Sequence, residues 1–241
     1  MTLVTLHGAH LRSRSQEQPD HHGQGGAAAS SSIGIAGALL LSVSSRSPDA
    51  TLAAEKAGLR RSLLTQRMAM SPADAAEASL QAARRFVRAL DLSSTGCVAL
   101  FWPLDGEIDT RPLLHALHAL GVPTALGRMQ GRDRPIRFHR WQPGEPLECG
   151  PFRVQQPMAT SPPVVPQVVA TPLLAFDAQG YRLGWGGGFY DRTLAELRAG
   201  SSPPACVGYA FAWQEVEQVP REPFDQRLDM VVTEQRTVHT G

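Results

Sequence analysis

A glycine-rich segment at residues 182–191 has the composition of an anion-binding loop. Its sequence is RLGWGGGFYD, with glycines at positions 184, 186, 187 and 188. Glycines remove side chains from a turn, so successive backbone N–H groups can converge on an anion, and a following helix adds its dipole. Arg182 and Asp191 flank the loop, and a cation and a carboxylate beside such a loop suit a phosphate group with Mg²⁺. The pattern favours a phosphate site, and a merely flexible glycine turn is the alternative.

Two basic residues nearer the start of the chain could bind the same anion. Lys56 and Arg60 are four residues apart, which places them on one face of a helix and lets both reach one polyphosphate. Of the 23 basic residues only Lys56 is a lysine, so a site that requires an amine has one candidate. A solvated helix face is the alternative for this pair.

The histidines and cysteines carry less chemical information. His115 and His118 share a helix face, but no third ligand is nearby, and we expect an exposed face instead of a metal site. Cys97, Cys149 and Cys206 are too few and too scattered for a disulfide framework or a zinc site. Because they stand in or near apolar stretches, we expect small core residues, and free thiols favour a reducing, cytoplasmic location.

The composition excludes several classes of function. The chain has 241 residues, of which 42% are hydrophobic, and this is enough to bury a substantial core. Its formal net charge is +1, so it has no strong field to hold nucleic acid or an anionic membrane non-specifically. We therefore expect neither as a partner, and any anionic ligand must be bound by local groups.

Residues 1–50 differ from the rest and are predicted to be a disordered or dispensable extension. Residues 16–32 are rich in Gly, Ala, Ser and His and cannot bury enough surface to offset the entropy of ordering. The apolar run at 33–43 is shorter than the roughly 20 residues needed to span a bilayer. An extension is favoured over a targeting signal, because positive charges and a cleavage pattern are poorly placed around this run. Residues 51–241 are expected to form one domain.

Hydrophobic periodicity predicts an α/β fold for this domain. Two helices come first, and in the second Ser71, Pro72 and Asp74 are placed as the N-cap, first and third residues. Thr110 is the expected cap of a third helix that ends at Gly121. Strands are expected at 97–102, 123–126, 136–141, 168–175, 206–210 and, as the last strand, 230–233, with a proline-rich connection at 143–166 and a helix at 190–197. Alternating strands and helices indicate a mostly parallel sheet with helices on both faces.

The glycine segment closely resembles the signature of the 5-formyltetrahydrofolate cyclo-ligase family, also called methenyltetrahydrofolate synthetase. Shorter resemblances follow the family's order from about residue 52 to 235. They are KAGLR at 56–60, GEIDT at 106–110, PLLAFD at 172–177, and FD at 224–225 with LD at 228–229. The glycine motif is long enough to be specific by itself, and the others support it as an ordered set. The resemblance implies a Rossmann-like three-layer sandwich.

The resemblance also implies a reaction and its ligands. The family converts 5-formyltetrahydrofolate to 5,10-methenyltetrahydrofolate in an ATP- and Mg²⁺-dependent ring closure that releases ADP and phosphate. Catalysis then depends on aligning ATP with the formyl oxygen and on neutralising charge in the transition state. The implied catalytic residues are Lys56, Arg182 and Asp191, and the implied Mg²⁺ ligands are Asp191 and Asp225.

The family's binding residues fall on a few short stretches of this chain. The implied ATP contacts are Lys56, Ala57, Gly58, Leu59, Arg60, Arg182, Leu183, Gly184, Trp185, Gly186, Gly187, Gly188, Phe189 and Tyr190. The implied folate contacts are Trp102, Glu107, Trp185, Gly186, Gly187, Gly188 and Phe189. Trp102 would supply an apolar wall, and Glu107 would accept hydrogen bonds from the amino and ring N–H groups of the pterin. Without the resemblance, a tryptophan at a strand end is usually a core residue.

Two other functions are kept as alternatives. One is a non-catalytic protein of the same fold that binds folate or nucleotide, which the presence of both Asp191 and Asp225 disfavours. The other is an ATP-dependent enzyme that acts on a different heterocycle. The sequence departs from the family at Arg128, Gln156 and Phe224, and none of these has an assigned role. The expected partners are ATP and 5-formyltetrahydrofolate, and the expected oligomeric state is a monomer.

Overall fold

The computed structural model describes residues 48–240. These residues form four α-helices, which are α1 (Pro48–Met68), α2 (Pro72–Ala89), α3 (Arg111–Ala119) and α4 (Phe189–Arg198). They also form eleven strands, which are β1 (Val98–Leu100), β2 (Thr124–Arg128), β3 (Arg137–Arg140), β4 (Leu147–Cys149), β5 (Gln155–Pro157), β6 (Val168–Thr171), β7 (Ala175–Phe176), β8 (Arg182–Leu183), β9 (Ala205–Tyr209), β10 (Met230–Val232) and β11 (Thr237–His239). Within this part of the chain, no helix is long and apolar enough to cross a bilayer. The predicted extension at 1–50 and the apolar run at 33–43 lie outside the described residues, apart from the first turn of α1.

Seven strands form one sheet in the order β11-β10-β9-β6-β1-β2-β3. The five central strands are parallel, and β3 and β11 pair antiparallel at the two edges. The predicted mostly parallel sheet is confirmed. The prediction that 230–233 is the last strand is wrong, because β11 turns back and pairs with β10. Two hairpins were also missed: β4–β5 lies within the predicted connection at 143–166, and β7–β8 begins within the single strand predicted at 168–175.

Helices cover both faces of the sheet. In β1, Val98 and Leu100 pack into the cluster that contains Phe86 of α2 and also draws on α3. Ala99 packs into the opposite cluster with Leu194 of α4. Successive strand side chains point to opposite faces, so one strand contributes to both cores. A fully buried side chain of the size of Phe86 contributes about 1.5–3 kcal/mol. The predicted three-layer arrangement is confirmed.

The helix termini agree with local sequence signals in two of three places. Ser71 caps α2, because its Oγ accepts a hydrogen bond from the Asp74 N–H at 3.1 Å. Gly121, with φ of 71°, follows the end of α3. Thr110 does not cap α3 with its side chain. Its buried hydroxyl donates instead to the carbonyl of Phe101 at 2.7 Å, which ties the start of α3 to the end of β1.

The cysteines differ in burial. Cys97 and Cys206 lie in the core as predicted, with 1% and 0% exposure. Burial raises the pKa of both thiols to about 11, so they stay protonated at neutral pH. The prediction of a core position is wrong for Cys149, which is exposed because it ends β4 on a peripheral hairpin.

The connections between parallel strands change side between β1 and β6. The connection through α3 runs from β1 to its neighbour β2, towards the β3 edge of the sheet. The connection through α4 follows β6 and leads to its neighbour β9, towards the β11 edge. Ligands of open α/β sheets bind beyond the carboxyl ends of strands at such a switch point. The segment after β1 carries Glu107, and the segment after β6 carries the β7–β8 hairpin and the glycine loop, defined as residues 184–188. α1 packs on that hairpin through Leu63, Leu174 and Leu183.

Candidate active site at the switch point

Lys56 lies on α1 with its amine between two carboxylates. Nζ donates to Glu222 Oε2 at 2.6 Å and to Asp225 Oδ2 at 2.8 Å. Burial lowers the pKa of Lys56, but the hydrogen bonds and charges of Asp225 and Glu222 outweigh it, so the pKa is raised above its usual 10.5. The lysine side chain is 8% exposed. A solvated helix face is therefore excluded for Lys56, which points at the closing segment, defined as residues 222–226.

Arg60 lies one turn further along α1 and contacts the glycine loop. Its Nε donates to the carbonyl of Gly184 at 2.9 Å. Its guanidinium carbon would be 3.4 Å from a Cβ atom at Gly186. The spacing of four residues thus places Lys56 and Arg60 on one face of α1, as predicted, with one cation at the closing segment and the other at the loop.

The glycine loop has a backbone that side chains would strain. Gly186 has φ of 99° and Gly188 has φ of 63°, a region that residues with a Cβ seldom adopt. Gly188 is the N-cap of α4, and the N–H groups of a first helical turn have no acceptor within their helix. Arg192 holds the loop from its far side by donating to the carbonyl of Gly187 at 2.7 Å. This backbone is compatible with the predicted anion site, which stays a prediction.

Arg182 and Asp191 form an ion pair beneath the loop. Arg182 Nη2 donates to Asp191 Oδ1 at 2.7 Å, and the two side chains are 3% and 24% exposed. Arg182 Nη1 also donates to the carbonyl of Gln226, and the Gln226 N–H donates to Asp191 Oδ1 at 3.1 Å. Gln226 thereby connects Asp191 to the closing segment that carries Asp225.

The two predicted metal ligands retain oxygen atoms that could bind Mg²⁺. Asp191 uses only Oδ1 and Asp225 only Oδ2 in hydrogen bonds, so within residues 48–240 the second oxygen of each has no hydrogen-bond donor. Carboxylate oxygens are ligands that Mg²⁺ prefers. The described residues contain no group of three or more His, Cys, Asp or Glu side chains that could enclose a metal. The assignment of Asp191 and Asp225 as Mg²⁺ ligands therefore stays a prediction.

On the other side of the loop, Glu107 is bonded to Trp185. Glu107 Oε1 accepts from the indole Nε1 of Trp185 at 3.0 Å, and Oε2 accepts from the Leu104 N–H at 2.9 Å. The carboxylate is 5% exposed and lies 3.8 Å from Nη1 of Arg67. Burial raises the pKa of Glu107, and both hydrogen bonds and the charge of Arg67 lower it again in part. Glu107 and Trp185, both predicted folate contacts, are thus brought together.

Trp102 lies in a different environment. Its ring meets Trp141 edge to face at 5.7 Å, and both line a pocket of about 320 Å³ beside α3. His115 borders the same pocket and, like His118, is exposed as expected. Within the described chain, Trp102 shares no hydrogen bond, ion pair or ring contact with Glu107. Its role at the folate remains a prediction.

The other predicted ATP contacts have varied surroundings. Ala57, Gly58 and Leu59 lie on α1, and Leu59 packs with buried Leu183 in the cluster between α1 and the β7–β8 hairpin. Phe189 and Tyr190 begin α4 and pack on the cluster beneath it. Burial and the charge of Glu107 raise the pKa of the Tyr190 hydroxyl, so it stays neutral.

Four residues around the site were missed by the sequence analysis, namely Arg67, Phe152, Arg192 and Glu222. Glu222 gave one hint, because it stands three residues before Asp225. The ring of Phe152, at the tip of the β4–β5 hairpin, lies 6.2 Å from that of Phe189 at the end of the glycine loop. No local pattern could reveal this contact, because it joins distant parts of the chain.

Comparisons with known proteins agree with this geometry. Residues 52–234 match the model of the 5-formyltetrahydrofolate cyclo-ligase family. The 5-formyltetrahydrofolate cyclo-ligase of Escherichia coli K12 is 36% identical over 173 residues, which cover 70% of this chain and 94% of that protein. The corresponding protein of Mycolicibacterium smegmatis is 30% identical over 194 residues, covering 76% and 95%.

Solved structures with similar folds come from the same family of enzymes. The solution structure of 5,10-methenyltetrahydrofolate synthetase from Aquifex aeolicus has a TM-score of 0.66 and 28% identity, covering 77% of this chain and 92% of that one. The 5,10-methenyltetrahydrofolate synthetase from Mycoplasma pneumoniae, at 21% identity and a TM-score of 0.60, shares the fold over 75% of this chain and 99% of that one. Because the family match spans most of the described residues, and the E. coli relative is aligned over nearly its whole length, this chain belongs to the 5-formyltetrahydrofolate cyclo-ligase family.

Proposed function

We propose that this protein converts 5-formyltetrahydrofolate to 5,10-methenyltetrahydrofolate, consuming ATP and releasing ADP and phosphate. The observation that carries the proposal is the convergence of two different environments on one glycine loop. One consists of Lys56, paired with the acids of the closing segment, and Arg60, bonded to Gly184 of the loop, and the other is the bond between Glu107 and Trp185 of the loop. The first environment suits a polyphosphate, and the second suits the N–H edge of a pterin.

The proposed chemistry explains why the site needs no nucleophile of its own. A formyl amide is a poor electrophile, so its oxygen first attacks the γ-phosphorus of ATP, and the bond to ADP breaks. The N10 atom of the folate then attacks the activated formyl carbon and loses its proton. The bond from that carbon to the phosphorylated oxygen breaks, and phosphate leaves. The protein has only to align the two substrates and neutralise charge.

Lys56, Arg60 and Arg182 are proposed to carry out that neutralisation. Arg60 contacts the glycine loop from α1, Lys56 contacts the closing segment, and Arg182 holds Asp191 at the first turn of α4. Asp191 and Asp225 would hold Mg²⁺, whose charge would offset that of the phosphates. Lys56 would exchange part of its contact with Glu222 and Asp225 for phosphate oxygens.

Glu107 is proposed to orient the pterin. An ionised carboxylate only accepts hydrogen bonds, and its two oxygens provide about four acceptor positions. Leu104 and Trp185 occupy one position on each oxygen. The remaining positions could accept the amino and ring N–H groups of the pterin, and Trp102 is proposed to supply an apolar wall nearby.

The direct test is to mix the full chain with ATP, Mg²⁺ and 5-formyltetrahydrofolate. The expected result is the near-ultraviolet absorbance of the methenyl product, with one ADP and one phosphate formed per turnover. Omitting ATP should abolish the signal. A protein that binds both ligands but forms no product would overturn the proposal in favour of a binding protein, which the family match does not support. Turnover of ATP with a different formylated heterocycle, and none with 5-formyltetrahydrofolate, would favour the remaining alternative.

Other proposals concern the whole chain. We propose that the protein is a cytoplasmic monomer with no nucleic-acid or membrane partner. We also propose that residues 1–50 are not needed for activity. Removing residues 1–47 leaves α1 complete and should leave kcat unchanged. A marked loss of turnover in the truncated protein would contradict this, and sedimentation of the full chain tests the monomer.

A further inference from the structure

Arg67 is a buried arginine for which the reaction described above has no use. It lies near the end of α1, and its side chain is 2% exposed. Nη2 donates to the carbonyl of Leu173 at 3.3 Å, but Nε and Nη1 have no hydrogen-bond acceptor within residues 48–240. An incompletely paired buried cation destabilises a fold, so its position calls for an explanation.

The surroundings of Arg67 connect it to the folate side of the site. Nη1 lies 3.8 Å from Oε1 of Glu107, which is too far for a hydrogen bond but close enough for strong attraction. The guanidinium carbon lies over the ring of Trp185, 5.2 Å from its centre. Arg67 is therefore close to both Glu107 and Trp185, the two side chains that are hydrogen-bonded to each other at the glycine loop.

The charged and titratable groups around Glu107 are few. The hydrogen bonds to its carboxylate come from neutral donors, the Leu104 N–H and the Trp185 indole. Tyr190 faces it from α4 and remains neutral, because burial and the charge of Glu107 raise the pKa of its hydroxyl. Burial raises the pKa of Glu107 itself, and Arg67 is the positive charge that opposes this among the described residues. Without Arg67, Glu107 would be a buried carboxylate with no counter-ion.

We propose that Arg67 is a positioning residue that keeps Glu107 ionised and directed at the N–H groups of the folate. The inference rests on the proposed function, because Arg67 acts only through the contact between Glu107 and the pterin. A protonated Glu107 would present a hydroxyl donor on one oxygen, which would weaken its contact with the N–H groups of the folate. Arg67 would thus set the pH range in which the folate binds, without touching either substrate.

The test is a comparison of Arg67→Met with Arg67→Lys across about pH 6 to 7.5, a range in which a raised carboxyl pKa would be visible. Methionine keeps much of the buried chain and removes the charge, and lysine restores the charge. In Arg67→Met the KM for 5-formyltetrahydrofolate should rise as pH falls, by up to about tenfold for each unit by which the pKa of Glu107 increases. The kcat and the KM for ATP should change by less than about twofold. Arg67→Lys should return the profile towards that of the parent protein.

Arg61→Met is the matched control, because Arg61 lies on the same helix and is exposed. It should reproduce the parent profile. If Arg67→Met raises the KM for the folate equally at every pH, the proposal is overturned and a packing role remains. A change in kcat or in the KM for ATP would overturn it as well. If Arg67→Met does not fold, Arg67→Gln provides the uncharged variant for the same comparison.

Glu107→Gln separates this proposal from the proposed function. It should raise the KM for the folate at all pH values, and adding Arg67→Met to it should produce no further pH dependence. An unchanged KM in Glu107→Gln would refute the folate role of Glu107 itself. A raised KM in Glu107→Gln, together with a parental pH profile in Arg67→Met, would refute the role of Arg67 alone.

Discussion

Two buried cations of α1 differ in how fully their charge is paired. In the middle of the helix, Lys56 has two acids within 2.8 Å and forms a hydrogen bond with each. Three turns later, Arg67 has one acid at 3.8 Å and two nitrogens without an acceptor in the described chain. Both side chains are almost fully buried, so exposure does not explain the difference.

The difference indicates how each cation is used. Lys56 has two carboxylate partners for one positive charge. A phosphate oxygen can therefore replace one carboxylate without leaving the amine unpaired. Arg67 cannot exchange partners in this way, because no second acid is available to it among residues 48–240. A cation that exchanges partners is suited to a substrate that arrives and leaves, and a cation with one distant acid is suited to holding that acid permanently ionised.

The largest effect is expected at Asp191, which Gln226 connects to the closing segment that pairs with Lys56. Asp191→Asn removes the charge needed for a hard metal ligand and should lower turnover by about 10² or more, roughly 3 kcal/mol of barrier. Some stability is also lost, about 1–3 kcal/mol, because Arg182 loses its counter-ion. Folate binding without ATP should persist. Steady-state turnover, thermal melting and folate binding on the one variant test these outcomes.

Glu196→Gln is its control, because Glu196 is an exposed acid on the same helix, paired with Arg137. It should have near-normal turnover. If Asp191→Asn is folded and nearly as active as Glu196→Gln, the proposed metal role of Asp191 is refuted, and its ion pair with Arg182 and its favourable position at a helix N-terminus remain.

A smaller, selective effect is expected at Lys56. Lys56→Ala should raise the KM for ATP about tenfold or more, a change of about 1.4 kcal/mol, while the KM for the folate stays within about twofold. The reason is that the amine lies at the closing segment and not beside Glu107. Kinetics in which each substrate is varied separately measure both constants, and Arg61→Ala on the same helix is the control. An unchanged KM for ATP would leave Lys56 as a purely structural ion pair.

The opposite selectivity is expected at Trp185. Trp185→Phe keeps an aromatic ring over Arg67 but removes the indole N–H that bonds to Glu107. The KM for the folate should rise several-fold, consistent with about 1 kcal/mol for one hydrogen bond, while the KM for ATP changes little. The same two-substrate kinetics test this. If both constants changed equally, the two sides of the loop would not be separate environments.

The smallest expected effect is on stability at alkaline pH. The pKa of Lys56 is raised by folding, so its contribution is fully present below 10.5, its unfolded value, and is lost as pH rises through the folded value. The contribution is about 1 kcal/mol, because Glu222 is partly exposed. Urea unfolding of the parent and of Lys56→Met should therefore differ at neutral pH and converge as pH rises above 10.5 and through the folded pKa of Lys56. A difference that persists at high pH would point to packing of the lysine chain.

Local interactions made part of this fold predictable. The N-cap at Ser71, the end of α3 at Gly121 and the glycine loop before α4 depend on residues close in sequence. Local signals failed at Thr110. Its hydroxyl donates to the carbonyl of Phe101, nine residues away, and does not cap α3. Short edge elements such as β11 were missed for a related reason, since pairing across a sheet stabilises strands whose own pattern is weak.

The sequence by itself determined the alternation of strands and helices, the loop that suits an anion, and the shared helix face of Lys56 and Arg60. These follow from periodicity and from glycine's freedom at positive φ. Only the tertiary structure decided which charges meet. Glu222 with Lys56 spans 166 residues, and Arg67 with Glu107 joins two separate elements. Such pairs arise because α1 packs against parts of the chain that are distant in sequence, and no local spacing encodes those contacts.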